Sequence, residues 1–222
     1  MAGVKQSTKT RIRRFTSHIR EVILAFTGIL LFAGFIHQSF PLVLVAIGGL
    51  AGTGAVIGFS GTHTGLSALF GISRLNRRIL YFIFPALALG ILLGILTRNR
   101  FELTLIPEGF TGIAFVAPLI GATEELLFRG YIQGQLRSGG SVFSILGASA
   151  FHTSYKLLVI LTLAMPLQFD FFFLIFWTFI GGILFGILRE LSGSTIPPVI
   201  AHAAFDVLLY GGMAAAPVWV WS

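Results

Sequence analysis

Ionisable side chains inside apolar segments are the feature of this sequence that points most directly to chemistry. Among the groups that interrupt three apolar runs of the chain, six are candidates for one site: Glu124, Glu125, Arg129, His152, His202 and Asp206. Because a charge at bilayer depth is costly, such groups usually face a protein interior or a wet cavity, and each needs a partner there. The six residues therefore predict a polar site buried in a membrane protein.

The composition indicates a polytopic membrane protein and excludes several kinds of site. Of the 222 residues, 55% are hydrophobic and 10% are charged, whereas a soluble domain is about 25% charged. The net charge of +7 does not indicate a nucleic-acid partner, because the basic residues lie in short loops beside apolar spans, where they set topology. The chain has no cysteine, which excludes disulfides, thiolate metal sites and a cysteine nucleophile.

Seven segments are long and apolar enough to cross a bilayer, which takes about 20 residues in a helix. They are residues 21–39, 41–59, 79–97, 109–134, 142–165, 169–188 and 196–215. The predicted fold is therefore an all-α, polytopic transmembrane bundle of about seven spans. The polar loop 60–78 is expected to hold a short interfacial helix.

Basic residues are distributed unequally between the two ends of this predicted bundle. Residues 1–20 form a basic tail that is expected to be disordered or surface-lying, and residues 21–222 form a single transmembrane domain. Alternating spans place Arg98 and Arg100 on the side away from the tail. On the side of the tail they place five arginines: Arg74, Arg77, Arg78, Arg137 and Arg189. Since positive residues concentrate on the cytoplasmic side, the N-terminus is predicted to be cytoplasmic in a multi-pass protein of the cell membrane.

The ionisable groups lie at similar depths in their predicted spans. Glu124, His152 and Asp206 each lie about 15 Å from the cytoplasmic ends of three different spans, at about 1.5 Å per residue. His202 lies one turn before Asp206, about 9 Å from the end of the span, so both can face one cavity. Three helices are thus expected to bring these groups to one level in the cytoplasmic half of the bilayer.

Helical spacing also predicts the partners of the two glutamates. Glu125 and Arg129 are four residues apart, which allows an ion pair on one helix face. Glu124 is rotated by about 100° from its neighbour and can face a different partner, such as His152.

A glutamate and a histidine in one cavity can bind and deprotonate a water molecule. A second histidine, from another helix, can donate to the oxyanion that then forms. Glu124, His152 and His202 therefore predict a hydrolase without a covalent nucleophile. Its substrate would enter from the membrane or from the cytoplasmic face.

Other intramembrane protease designs fit this sequence less well. A His-Glu-x-x-His zinc motif is absent, and a pair of aspartates would need Asp170, which lies near the end of a span. A serine–histidine dyad is the main rival, because Gly147-Ala-Ser149-Ala resembles the Gly-x-Ser-Gly of rhomboid proteases and His202 would serve as its base. That match lacks the last glycine and leaves the two glutamates unexplained. A small-residue packing face is therefore favoured for this run.

Three motifs together resemble those of a known family. They are Glu-Glu-x-x-x-Arg over 124–129, Phe-x-x-x-His ending at 152, and His-x-x-x-Asn/Asp over 202–206. In these motifs the chain resembles the CAAX protease and bacteriocin-processing family (CPBP, also called Abi), which includes the type II CAAX prenyl endopeptidases. The likeness covers about 117–206. The second motif has Ala148 where the family has phenylalanine, and the third ends in Asp206 where prenyl endopeptidases typically have asparagine.

The resemblance implies an intramembrane endopeptidase of the glutamate type, with its catalytic half at about 109–216. Glu124 and His152 would activate the water. His202, with Asp206, would stabilise the oxyanion or position the substrate. The site would lie in the cytoplasmic half of the membrane.

Glu125 and Arg129 would support this site and its charge balance. A glutamate with two histidines can also hold a divalent metal, but nothing in the sequence requires one, and no cofactor is predicted. The implied partners are the lipid bilayer and a peptide or lipidated-protein substrate, processed as a CAAX protein or as a leader or bacteriocin peptide. Lys156, four residues after His152, is not assigned to the site, because a structural counter-charge explains it equally well.

Two other functions are compatible with the same residues. A non-proteolytic membrane scaffold or immunity protein of the same fold would not need Glu124. A transporter would use the buried carboxylates as a proton relay, but the chain shows no internal repeat or pair of broken helices.

Overall fold

The computed structural model describes residues 2–72, 76–163 and 170–214, with side chains described from Phe15 onward. Within these ranges the ordered elements are helices, and no strand occurs. The all-α prediction is therefore confirmed. Nine α-helices follow one another along the described chain: α1 (Ala2–Phe35), α2 (Val43–Thr64), α3 (Leu66–Leu69), α4 (Arg77–Arg100), α5 (Gly112–Glu125), α6 (Gln133–Leu136), α7 (Ser141–Leu161), α8 (Phe171–Ser192) and α9 (Ile196–Tyr210).

Five of the described helices are long and apolar enough to cross a membrane, by length and composition. They are α1 from Phe15 onward, α2, α4, α7 and α8. The last predicted span is a shorter helix, α9, which extends about 22 Å at about 1.5 Å per residue, against a hydrocarbon core of about 30 Å. The fourth predicted span is divided between α5, a π-helix (Leu126–Ile132) and α6. The helical membrane bundle is confirmed, with two of its predicted spans built from shorter helices.

The helix boundaries refine the predicted loops. The basic segment predicted as a disordered or surface-lying tail is helical from Ala2 and continuous with the first span. The loop 60–78 contains a short helix, α3, as predicted. Arg74 and the predicted span boundaries at 165, 169 and 215 lie outside the described residues.

Small residues let neighbouring helices approach closely. A Cβ atom on Gly28 of α1 would collide with the carbonyl oxygen of Gly49 on α2, and a Cβ atom on Gly90 of α4 would collide with that of Ala201 on α9. Close backbone approach of this kind is the usual basis of helix packing in lipid. The second contact matters for the site, because it places α4 directly against the helix that carries His202.

Polar contacts between helices define one end of the bundle. Glu21 of α1 accepts hydrogen bonds from Ser60 of α2 at 2.8 Å and from Gln135 of α6 at 3.0 Å. Arg78 at the start of α4 donates to the carbonyl of Leu191 near the end of α8 at 2.6 Å. We call this the basic end, because the N-terminal lysines and arginines precede Glu21 on α1. The far end is where α4 and α9 end and α8 begins.

Arg98 caps α9 at the far end. It is 3% exposed, and its Nη1 donates to the carbonyls of Leu208 at 2.9 Å, Leu209 at 3.0 Å and Gly211 at 2.9 Å. These carbonyls lie at the end of a helix, where they have no partner in the next turn. In the sequence Arg98 has the position of a topology signal, but the structure shows that it is a buried helix cap, which leaves Arg100 as the exposed arginine of the pair. Arg189, counted on the side of the tail, is likewise buried at 6% exposure, so burial removes one arginine from the count at each end.

Candidate active site

The two glutamates lie where the α-helix changes to a π-helix. Glu124 and Glu125 are the last two residues of α5, and Arg129 lies within the wider turns of the π-helix that follows. Such turns are rare and occur frequently at functional sites. The carbonyl of Arg129 accepts a hydrogen bond from Nε of Arg189 at 3.0 Å. Helix α8 therefore supports the segment that carries the first motif.

Glu124 is the point at which three helices meet. Its side chain is buried, and Oε2 lies 3.3 Å from Nε2 of His152 on α7 and 3.9 Å from Nε2 of His202 on α9. Its other oxygen, Oε1, lies 2.8 Å from Nζ of Lys156, also on α7. The structure therefore brings together the glutamate and the two imidazoles that the sequence placed at one level.

Glu125 and Arg129 form the predicted ion pair, and the pair contacts both histidines. Nη1 of Arg129 lies 3.3 Å from Oε1 of Glu125 and 2.9 Å from Nδ1 of His152. The same Oε1 lies 2.9 Å from Nδ1 of His202. Neither Glu125 nor Arg129 is accessible to solvent. This buried pair therefore orients one imidazole through its cation and the other through its anion.

These contacts assign a ring proton to each imidazole. A guanidinium can only donate, so Nδ1 of His152 accepts from Arg129, and the ring proton lies on Nε2, which faces Glu124. A carboxylate can only accept, so Nδ1 of His202 carries a proton towards Glu125, and its Nε2 faces the carboxylates of Glu124 and Asp206. The hydrogen-bond network thus makes His152 a donor towards Glu124 and turns Nε2 of His202 towards two carboxylates.

Asp206 completes the buried cluster from the next turn of α9. Its Oδ1 lies 3.8 Å from Nε2 of His202, and both residues line the same cavity, as their spacing predicts. Gly121 of α5 faces them, because a Cβ atom there would collide with Oδ2 of Asp206 and would lie 2.9 Å from Cδ2 of His202. Aromatic rings complete the packing, with Phe128 centred 4.5 Å from the His152 ring.

A cavity of about 400 Å³ begins at this cluster. Its polar end contains Glu124 and the two histidines, and its walls are mainly apolar side chains of α4 and α8, such as Leu93 and Trp177. It extends to Arg100, at the far end of the bundle. The predicted site residues therefore adjoin a space of the size that ligand cavities have.

The depth of the cluster can be counted along α7. His152 lies about 16 Å from Ser141 and about 14 Å from Leu161, at about 1.5 Å per residue, so it lies near the middle of the helix. The cavity extends from there towards the end opposite to the basic end. Placement of the site in the cytoplasmic half stays a prediction, since it depends on the orientation inferred from charge.

Residues 106–208 match the family model described as Rce1-like, type II CAAX prenyl endopeptidase Rce1-like. The resemblance to the CAAX protease family is confirmed. The matched segment contains all three motifs and runs from just before α5 almost to the end of α9, whereas α1 to α4 precede it. No curated protein and no solved structure matches the chain.

The rival protease designs can be compared with the same geometry. The hydroxyl of Ser149 donates to the carbonyl of Ile145 in its own helix at 2.7 Å, and a Cβ atom on Gly182 of α8 would lie 3.0 Å from the Ser149 side chain. These contacts favour the packing role. Asp170 accepts from the backbone N–H of Phe173 at 3.0 Å at the start of α8 and pairs with Arg100 at 3.2 Å. The Phe173 N–H, together with Arg100, holds the pKa of Asp170 below its usual value.

A metal ion fits this cluster of side chains poorly. Within the described ranges, no three carboxylate or imidazole side chains are grouped as metal ligands would be. Lys156 lies 2.8 Å from Glu124 and Arg129 lies 2.9 Å from Nδ1 of His152, so two cations already contact the groups that would bind one. No step of the reaction is derived through a metal.

The family motifs do not include two residues that the structure places at the site. Lys156 contacts Glu124 directly, and its spacing from His152 on α7 was the signal that could have found it. Gly121 lies three residues before Glu124 in an apolar run, and no sequence feature distinguishes it from the other glycines that pack helices.

Proposed function

We propose that this protein is an intramembrane endopeptidase that hydrolyses a peptide bond with a water molecule activated by Glu124. The family match supports a CAAX-type intramembrane protease at the level of the family. The observation that carries the proposal is the position of Glu124 Oε2, which faces the Nε2 atoms of His152 and His202 at the polar end of a cavity.

The hydrogen-bond network supports a specific division of labour. Glu124 Oε2 accepts a proton from the water, and the resulting hydroxide adds to the carbonyl carbon of the substrate. The Nε2–H of His152 points to the same place and donates to the water or to the oxyanion. The proton held by Glu124 then passes to the leaving amine, so that the carboxylate is restored and one water is consumed.

His202 and Asp206 act on the other side of the reacting carbonyl. Nε2 of His202 lies within 3.9 Å of both Glu124 Oε2 and Asp206 Oδ1. A proton shared in this group gives His202 an N–H that can donate to the oxyanion, the role in which fixed donors contribute most to acyl-transfer catalysis. Asp206 therefore acts on the imidazole of His202, and it does not itself donate a hydrogen bond to the oxyanion.

The cavity defines the class of substrate. Leucine and aromatic side chains from α4 and α8 line most of it, so the peptide beside the scissile bond is apolar, or carries an apolar group such as a lipid. We propose a membrane-associated peptide or lipidated protein of this kind, processed either as a CAAX protein or as a leader peptide. It enters from the membrane, since both wall helices, α4 and α8, are candidate membrane spans.

The test is hydrolysis of an apolar membrane peptide by the purified protein in liposomes. Glu124→Gln keeps the shape of the side chain but removes the base, so the rate should fall by about 10²–10⁴-fold. Ser149→Ala is the matched control, because Ser149 is a buried neighbour on α7 that contacts neither Glu124 nor the histidines in the described hydrogen bonds. Full activity of Glu124→Gln would refute the proposal, and loss of activity in Ser149→Ala would favour the serine dyad.

A further inference from the structure

Lys156 is a buried cation that none of the three motifs includes. It is 7% exposed, and its Nζ lies 2.8 Å from Oε1 of Glu124. Lysine is almost never buried to this degree unless it is paired. Here its partner is the residue to which we assign the role of general base.

The contact with Lys156 gives the two oxygens of the Glu124 carboxylate different partners. An ammonium group offers three donors and no acceptor, so Oε1 is held as the acceptor of a charge-assisted hydrogen bond. Oε2 remains on the side of His152 and His202, at 3.3 Å and 3.9 Å from their Nε2 atoms. The oxygen that faces the imidazoles is therefore the one available to the water.

The charges around Glu124 make this lysine hard to replace. The titratable and charged groups around Glu124 come from four elements. They are Glu125 from α5, Arg129 from the π-helix, His152, Tyr155 and Lys156 from α7, and His202 and Asp206 from α9. The cluster holds three carboxylates, and the close partners of Arg129 Nη1 are Glu125 and His152. In the described part of the chain, Lys156 is the only lysine or arginine within 4.0 Å of the Glu124 carboxylate.

We propose that Lys156 is a positioning residue for the hydrolysis, which anchors Oε1 of Glu124 so that Oε2 faces the water and the two imidazoles. The inference rests on the proposed function and adds a residue to it. A purely structural counter-charge would affect how much protein folds, but not the turnover of each folded molecule. A positioning residue changes turnover itself, because a shift of about 1 Å in a reacting group can lower the rate by about 100-fold.

The experiment compares kcat and KM of the full chain in liposomes for wild type, Lys156→Met and Lys156→Arg, each corrected for the folded fraction. Lys156→Met keeps most of the side-chain volume without the charge, and its kcat should fall by about 10-fold to 100-fold, with KM within about twofold of wild type. Lys156→Arg keeps the cation and should recover part of the lost kcat.

Thr53→Val is the matched control for lost stability. Thr53 is buried between α1 and α2, where its hydroxyl donates to the carbonyl of Ala25 at 2.9 Å, so the variant should be less stable but equal to wild type in kcat. Where Lys156→Met does not fold, Lys156→Gln replaces it, because its polar end is tolerated in the cluster but is one bond shorter than lysine, so it does not hold Oε1 of Glu124 where Nζ does.

The outcomes separate the two proposals. A kcat for Lys156→Met, or for Lys156→Gln in its place, within about twofold of wild type overturns the inference and leaves the protease intact, provided that Glu124→Gln is inactive. A wild-type protein that hydrolyses no peptide overturns both. A loss of kcat that Lys156→Arg partly restores, with Thr53→Val unaffected, supports the positioning role.

Discussion

Replacement of Arg129 should show how much of the free energy of unfolding depends on charge pairing at the site. Arg129 and Glu125 are both 0% exposed, and their nearest charged atoms are 3.3 Å apart. Arg129→Met removes the cation and leaves the carboxylate of Glu125 buried, with His202 as its remaining close partner. Breaking a buried pair in this way costs about 3–5 kcal/mol, because the charge that is left behind cannot reach water and keeps only its contact with His202.

Removal of both charges should cost less than the sum of the two single changes. Glu125→Gln/Arg129→Met leaves no unpaired charge, and residues in direct contact show interaction free energies of about 0.5–3 kcal/mol. The assay is equilibrium unfolding in mixed detergent micelles, followed by circular dichroism, for the wild type, both single variants and the double variant. Unfolding free energies that add within about 0.5 kcal/mol, or an Arg129→Met variant as stable as wild type, would refute this account of the pair.

Three further predictions address the packing, the helix cap and the cavity. Gly121→Ala should cost about 1–3 kcal/mol and should lower kcat, because the added methyl displaces Asp206; thermal unfolding and turnover measure both effects. Arg98→Met should destabilise the protein by more than about 1–3 kcal/mol, the cost of a single buried unpaired group, since three carbonyls of α9 lose their donor; thermal unfolding measures it. Because the chain has no cysteine, Thr97→Cys would be the only thiol, and an impermeant maleimide should label it through the cavity from the side opposite to the N-terminus, whereas the buried Ala148→Cys should stay unlabelled.

Each of these three predictions has an outcome that would contradict it. Gly121→Ala with unchanged turnover would mean that α5 and α9 can separate without disturbing Asp206. Arg98→Met with unchanged stability would mean that water reaches the end of α9. Labelling of Thr97→Cys only from the side of the N-terminus would mean that the cavity opens towards the basic end and not towards the far end.

The helical class, most of the spans and one partner of each glutamate were predictable from the sequence. Hydropathy identifies a helix in lipid because every backbone group must be satisfied within the segment. The ion pair of Glu125 and Arg129 followed from a spacing of four residues, and the contact between Glu124 and His152 from the rotation between neighbouring side chains. The spacing and the rotation are local properties, set by helix geometry before any tertiary contact forms, and they limit which contacts each side chain can make afterwards.

Other features could not be predicted because they depend on distances between helices. Hydropathy could not place the end of α9, where Arg98 caps the last carbonyls from another helix. It also could not distinguish Lys156 as a partner of Glu124 from a lysine at a helix end, since the side chain's target lies on α5. The approach of α5 to α9 at Gly121 and the direction of the cavity are likewise results of packing.

The amino-acid sequence by itself determined that this is a helical membrane protein with acid and imidazole groups on three helices at one depth, because residue type and spacing along a helix decide those properties. Only the tertiary structure decided how the groups share their protons: the pair of Glu125 and Arg129 makes Nδ1 of His152 an acceptor and Nδ1 of His202 a donor. That assignment depends on contacts of about 3 Å between atoms of different helices, and such contacts exist only once the helices have packed.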